Sequence, residues 1–169
     1  MLRTIALHPT SMAIAFDVVT AVVAGTMVGN EFAVAAFVHP QLQRLDDRAH
    51  AKIATLLAGS LGKAMPLWYG LAFALILGTV FEHRPVSTGP GFLLASAAAL
   101  WAATILFTVT FLVPINNRIA KIKPEQPHEG WLRDRARWDQ LHRIRVALLI
   151  VALLLLLTGL FRGAAIPAS

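Results

Sequence analysis

The sequence predicts an all-α integral membrane protein built as a four-helix bundle. Hydrophobic residues make up 57% of the 169-residue chain, and charged residues only 14%. A membrane-spanning helix needs roughly 17 to 25 mostly apolar residues in succession. Four apolar stretches meet that need, at residues 12–38, 64–81, 91–115 and 138–161. Together with short connections they use nearly the whole chain, so we expect a single membrane domain over residues 1–169.

Composition also limits the functions that the chain can perform. Cysteine is absent, which excludes disulfides, thiolate metal sites and a cysteine nucleophile. The first apolar stretch is too long for a signal-peptide core and carries Asp17 and Glu31, so we interpret it as a membrane helix. The net charge of +6 indicates membrane topology and contact with anionic lipid in the bilayer rather than binding to nucleic acid.

The distribution of Lys and Arg predicts the orientation in the membrane. Twelve of these residues lie in the first and third connections, and three, Arg3, Arg84 and Arg162, lie on the other side. Cytoplasmic loops carry the excess of positive charge. We therefore expect both basic connections in the cytoplasm and both termini outside, in a bacterial inner (plasma) membrane.

Two acids and a stripe of small residues mark opposite faces of the first helix. Asp17 and Glu31 are fourteen residues apart, which places them within about 40° of each other at about 100° per residue. Small residues recur every four positions on nearly the opposite face: Ala21, Gly25, Gly29 and Ala33. Such stripes let helices approach closely. We expect the acids to face inward and the Gly25/Gly29 stripe to pack against a neighbouring helix or a second copy of the chain in a homo-oligomer.

Polar residues gather at the helix ends on the basic side. They lie in four separate segments: residues 29–40, 63–66, 112–117 and 138–145. On the last helix Trp138, His142 and Arg145 fall at i, i+4 and i+7, which places them on one face. Convergence of four segments is typical of a functional site, although topology alone also gathers polar residues at a membrane boundary.

Other aromatic and histidine residues are expected at the surface. Trp131 and Trp138 are seven residues apart on one helical face, which predicts an interfacial anchor in the third connection. Four histidines fall in connections or tails, and we expect them to be solvated: His8, His50, His83 and His128.

Two motifs give the chain a family resemblance. Val-Pro-Ile-Asn-Asn at 113–117, a basic loop and Trp-x-x-x-His-x-x-Arg at 138–145 resemble the DUF1772 family of small four-helix membrane proteins, which includes anthrone oxygenase-like proteins. Asn30-Glu31 followed by His39-Pro40 resembles a bacterial branch of it. The likeness covers roughly residues 12–161. The resemblance implies these marked positions: Pro40, Pro114, Asn116, Trp138 and Arg145. Members often carry Asn at the position of His142.

The resemblance implies an oxygenase or related redox enzyme acting on a small lipophilic aromatic molecule, with its site at the cytoplasmic end. Oxygenation next to an enolisable carbonyl needs a general base and hydrogen-bond donors for the enolate oxygen. His142 would be the base, oriented by Asp139, with Arg145 and Asn116 as donors. The expected catalytic set is His142, Arg145, Asn116, Glu31 and Asp139. The expected substrate-binding set is Trp138, His39 and Asn117.

Two other classes of function stay open. A metal-dependent oxidoreductase would use His39, His142 and Glu31, but Glu31 and His39 are about 12 Å apart along a continuous helix. The sequence leaves the cofactor open: the absence of one is favoured over a transition metal, and haem is disfavoured. A non-enzymatic accessory or assembly protein is the second alternative. An enclosed pocket lined by Glu31, Asn116, His142 and Arg145 would favour an enzyme.

The orientation is testable with a reporter that works only in the cytoplasm. It should be silent when fused after Ser169 and active when inserted near Lys123, because the positive charges retain the third connection inside. Reporter activity in whole cells measures both, and the reverse pattern would contradict the predicted orientation.

Overall fold

The computed structural model describes residues 11–87, 89–125 and 130–165, which are almost entirely helical. Each of the four helices is long and apolar enough to span a membrane. They are α1 (Ser11–Leu42), α2 (Asp47–Glu82), α3 (Gly89–Ile119) and α4 (Trp131–Ala165). The predicted all-α four-helix bundle is thereby confirmed. Each predicted apolar stretch lies inside one of these helices, and each helix extends beyond it.

The helices form a ring in which sequence neighbours are also neighbours in space. α1 packs against α2 and α4, and α3 packs against α2 and most extensively against α4. Short connections between long helices produce this up-down-up-down arrangement. The connection at 43–46, the end of α3 and the start of α4 lie at the same end, which we call the basic end. The turn after α2 lies at the other end.

Helices α2 and α4 are longer than a bilayer requires. With 36 and 35 residues they measure about 54 and 52 Å at 1.5 Å per residue, against a hydrocarbon thickness of about 30 Å. At the basic end both helices begin well before their predicted apolar stretches, at Asp47 and Trp131. A second apolar core forms there, separate from the core between the spans, and its largest members are Trp131, Trp138, Ile115, Ile119 and Leu112.

The tryptophan anchor predicted from the sequence is wrong. Trp131 is 5% exposed and packs edge-on against His50, with ring centroids 5.0 Å apart. Trp138 is 9% exposed and stacks on His142. Both indoles face inward because the first turns of α4 are covered by the start of α2 and the end of α3.

Two of the histidines expected in solvent are instead partnered. His50 is 5% exposed because α2 begins at Asp47, which places His50 in its first turn against Trp131. His83 Nε2 lies 2.9 Å from Asp17 Oδ2 and joins the turn after α2 to the start of α1. His8 and His128 lie outside the described residues.

The small-residue stripe of α1 faces away from the bundle. A Cβ atom added at Gly25 or Gly29 would meet nothing within 4 Å. The two glycines therefore have no close neighbour on another helix of the described chain, and packing of the stripe against a second copy stays a prediction. The acids of the other face turn inward, and Glu31 is 3% exposed.

Helices α1 and α3 each contain one wide π-helical turn just before a proline. The His39 N–H bonds the Val34 carbonyl, five residues back, and the Val113 N–H bonds that of Thr108. Pro40 and Pro114 follow directly, and a proline ring clashes with the carbonyl four residues earlier in a regular helix. The wider turn relieves that clash.

The extra residue in the turn of α1 also changes which side chains share a face. On a regular helix Glu31 and His39 would be about 80° apart, at about 100° per residue. Because the π-helical turn absorbs one residue, the separation falls to about 20°. Both side chains consequently face α4.

Substitution of a glycine tests the packing of the turn at the other end. A Cβ at Gly91 would lie 2.2 Å from the Pro85 carbonyl oxygen and 2.6 Å from that of His83, which are backbone atoms. We expect Gly91→Ala to lower the free energy of unfolding by about 1–3 kcal/mol. Gly70→Ala, where a Cβ meets nothing within 4 Å, is the matched control. Melting temperatures in detergent measure both, and equal values would contradict the close contact.

Candidate functional site

An ion pair between the first and last helices forms the centre of the site. Arg145 Nη2 donates to Glu31 Oε2, and the side chains are 8% and 3% exposed. Charges held so far from water persist only when paired, because an unpaired buried ion costs several kcal/mol. The Arg145 guanidinium also lies 5.7 Å from the centre of the Tyr69 ring, which contributes a cation–π contact from α2.

His142 completes a triad with this pair. Its Nδ1 lies 2.8 Å from Arg145 Nη2 and 3.3 Å from Glu31 Oε2. An arginine can only donate hydrogen bonds, so the shorter contact requires Nδ1 to be the acceptor. The geometry therefore assigns neutral His142 the tautomer with its proton on Nε2. That Nε2 is buried and has no hydrogen-bond partner among the residues that the structure describes.

Asp139 belongs to a second polar group rather than orienting His142. Its Oδ1 lies 3.0 Å from His39 Nδ1 and accepts from Arg135 Nη2 at 2.7 Å. Its Oδ2 accepts from Gln43 Nε2 at 3.1 Å. The expected Asp139–His142 arrangement is therefore replaced by an Asp139–His39 pair. The reason is the π-helical turn of α1, which points His39 at α4.

Three aromatic rings contact one another where the two polar groups meet. Trp138 and His142 lie nearly parallel, with centroids 4.6 Å apart and planes at 21°. The His39 ring is 4.9 Å from Trp138 and 5.2 Å from His142. The structure thus brings Trp138, His142 and His39 together, and their ring contacts connect the two polar groups.

The buried charges of the site balance. Two acids, Glu31 and Asp139, each pair with one arginine, Arg145 and Arg135 respectively. All four side chains are less than 10% exposed. A neutral total is what allows such groups to lie beside an apolar interior.

A cavity of about 170 Å³ lies beside the first polar group. All four residues expected to line a pocket, Glu31, Asn116, His142 and Arg145, do line it. All four helices contribute, and apolar residues form most of the remaining wall: Val34, Leu61, Met65, Pro66, Leu112 and Val113. Such a shape, with an apolar body and few polar groups at one side, is typical of small-molecule sites.

The two asparagines at the end of α3 occupy different places. Asn116 lines the cavity, and its Nδ2 donates to the Ala58 carbonyl oxygen at 3.2 Å. Asn117 also lines the cavity but is exposed. His39 does not line this cavity; it lines a smaller one of about 60 Å³ with Asp139 and Arg143.

The three metal candidates do not form a ligand set in the described part of the chain. His39 pairs with Asp139, whereas Glu31 and His142 contact Arg145. Within residues 11–87, 89–125 and 130–165, no three His, Asp or Glu side chains are arranged to hold a metal ion. A cation at Glu31 would have to displace the Arg145 guanidinium.

Sequence reasoning missed several residues of the site. Arg135 was detectable, because Arg135 and Asp139 have the i, i+4 spacing of a helical ion pair. Asp46, whose carboxylate accepts from the Arg48 and Ala49 N–H groups, signals the early start of α2. Gln43 and Tyr69 carry no comparable signal in the sequence.

Comparison with known proteins identifies a family. The model of a family described as anthrone oxygenase matches residues 53–155, which is more than half of the chain. This group comprises the DUF1772-type proteins, so the resemblance stated from the sequence is confirmed. No curated protein and no solved structure shows significant similarity to the chain.

The Arg145–Glu31 pair can be tested by paired substitutions. We expect Arg145→Lys to lower folded yield and melting temperature strongly, because Lys lacks the planar fork with which Arg145 contacts both Glu31 and His142 in a buried site. Arg143→Lys is the control, since Arg143 is exposed on another face. Equal tolerance at both positions would contradict the requirement for the Arg145 fork at this site.

Proposed function

The chain belongs to the anthrone oxygenase family, and from that premise we propose that it is a membrane-embedded oxygenase. Its substrate would be a small lipophilic aromatic molecule with an enolisable carbonyl group, bound in the cavity beside the Arg145–Glu31 pair. The topology predicted from the sequence would place that cavity at the cytoplasmic side.

One observation carries the proposal: the cavity joins an apolar body to a wall of polar side chains, and three of these have a nitrogen atom without a hydrogen-bond partner buried behind the cavity surface. His142 Nε2, Trp138 Nε1 and Arg145 Nε are buried and without partners among the described residues, and all three residues line the cavity. An unsatisfied buried donor costs about 1–3 kcal/mol. A ligand that presents an oxygen acceptor to this wall would recover part of that cost.

The tautomer of His142 favours a donor role for this residue. With Nδ1 accepting from Arg145, the buried Nε2–H lacks a partner among the described residues, and a small movement of the side chain on ligand binding would let it donate to an enolate oxygen, as oxyanion-stabilising groups do. This differs from the general-base role expected from the sequence.

The proton acceptor would then be Glu31, the carboxylate that lines the cavity. Glu31 would take a proton from the methylene carbon, giving an enolate whose electrons reduce O₂. One oxygen atom forms the new carbonyl, and the other leaves as water with the two methylene hydrogens. Anthrone and O₂ would thus give anthraquinone and water, with no external reductant.

A non-enzymatic assembly role is the second candidate. The outward-facing Gly25 and Gly29 favour it, because such a surface suits contact with another helix. It does not account for the unsatisfied donors at the cavity wall. Oxygen uptake separates the two functions.

The proposal is tested by oxygen consumption with anthrone, using protein in liposomes and subtracting the spontaneous rate. We expect one O₂ consumed per anthrone. His142→Leu should lower kcat about 10²–10³-fold, the usual effect of losing an oxyanion donor. His142→Gln should lose far less, because its amide N–H replaces the Nε2–H.

Two results would contradict these roles. No uptake above the spontaneous rate would contradict the oxygenase proposal. Equal losses for Gln and Leu at position 142, in variants with unchanged melting temperature, would restore His142 as the general base.

A further inference from the structure

The cavity opens on only one side of the bundle. Of the residues that line it, four are exposed: Gly62, Pro66, Val113 and Asn117. The first two belong to α2 and the last two to α3. The lining residues of α1 and α4 are buried or half-buried. The mouth of the cavity therefore lies between α2 and α3.

A residue without a side chain and a proline without a backbone N–H lie at this mouth and keep it open. Gly62 has no side chain, and a Cβ there would lie 3.0 Å from Asn116 Nδ2. Pro66 lacks the N–H that would bond the Gly62 carbonyl in a regular helix, so the carbonyl is left without its helical donor. On the opposite side, the π-helical turn at Thr108–Leu112 directly precedes Val113.

The surroundings of the mouth place it at the boundary between hydrocarbon and headgroups. Toward the membrane interior it is flanked by lipid-facing side chains: Leu67 is 78% exposed and Val109 is 57% exposed. Toward the basic end it is flanked by exposed cations, Lys63 next to Gly62 and Arg118 next to Asn117. The lipophilic surface thus ends, and the cationic surface begins, at the level of the mouth.

We propose that this opening between α2 and α3 is the entrance through which the substrate passes from the membrane boundary into the cavity. The proposal rests on the proposed function for the nature of the occupant, an aromatic molecule with a polar oxygen. Such amphipathic aromatics concentrate at the membrane–water boundary, as Trp and Tyr side chains do. A molecule residing there can slide in ring-first between Pro66 and Val113 without crossing bulk water.

The absence of cysteine gives a clean test. Val113→Cys places one thiol at the mouth, 37% exposed as Val113 is, and Val109→Cys places one on the same helix outside the cavity. Each variant, in liposomes, is treated with a benzyl thiosulfonate, which a reductant removes. Anthrone binding is followed without oxygen by tryptophan quenching, since Trp138 lines the cavity.

We expect the modified Val113→Cys protein to bind anthrone at least tenfold more slowly, with recovery on reduction and no change for Val109→Cys. Bound anthrone should also protect only the thiol of Val113→Cys from the reagent. Val113→Trp, which fills the mouth without chemical modification of a thiol, should also slow anthrone binding. Unchanged binding rates in both blocked forms, or equal slowing at both thiols, would overturn the entrance.

The same experiment separates the entrance from the activity. Anthrone binding that is blocked at Val113→Cys but leads to no oxygen uptake would overturn the proposed function and leave the entrance in place. Oxygen uptake that continues at full rate in the blocked protein would overturn the entrance and leave the function. If the thiol of Val113→Cys reacts at the same rate with and without anthrone, lipid rather than substrate occupies the mouth. This result would also overturn the proposed entrance.

Discussion

The contact between Arg145 and Glu31 is the constraint on which the rest of the site depends. It joins the last helix to the first, which are adjacent only because the bundle closes into a ring. Asp139 and His39 form a second bond between the same two helices. With each acid matched to an arginine, the charged groups cancel, and an apolar cavity can lie directly beside them. Without the pairing, water or lipid headgroups would have to enter this end of the bundle.

The prolines determine how the side chains reach that contact. Pro40 and Pro114 each follow a π-helical turn, and the turn rotates the remaining residues relative to a regular helix. In α1 the rotation brings His39 onto the face of Glu31. In α3 the turn precedes Asn116, which lines the cavity from the opposite helix. Both halves of the chain therefore contain a π-helical turn before a proline, although their residues do not repeat.

The sequence allowed prediction of the fold and of the helix ends that meet, because hydropathy and short connections restrict the topology strongly. It did not allow prediction of which polar side chains of the site pair with each other. Asp139 is three residues before His142, yet it pairs with His39, because the rotation in α1 is not visible in the residue spacing. Trp131 and His50 were expected at the surface, because the early helical starts of α2 and α4 were not predicted. These two helix starts cover each other, which buries both residues.

The separation of Arg145 and Glu31 by 114 residues also has a consequence for biosynthesis. At about 5–20 residues per second, a ribosome needs roughly ten seconds to make Arg145 after Glu31. During that interval α1 is already in the membrane with a carboxylate that lacks its cation. Because Glu31 lies in the half of α1 that is nearer the basic end, we expect water to solvate it until α4 is made. An acid at the middle of α1 would have no contact with water during this interval. The order of synthesis therefore favours a position of the Arg145–Glu31 pair near the boundary of the bilayer.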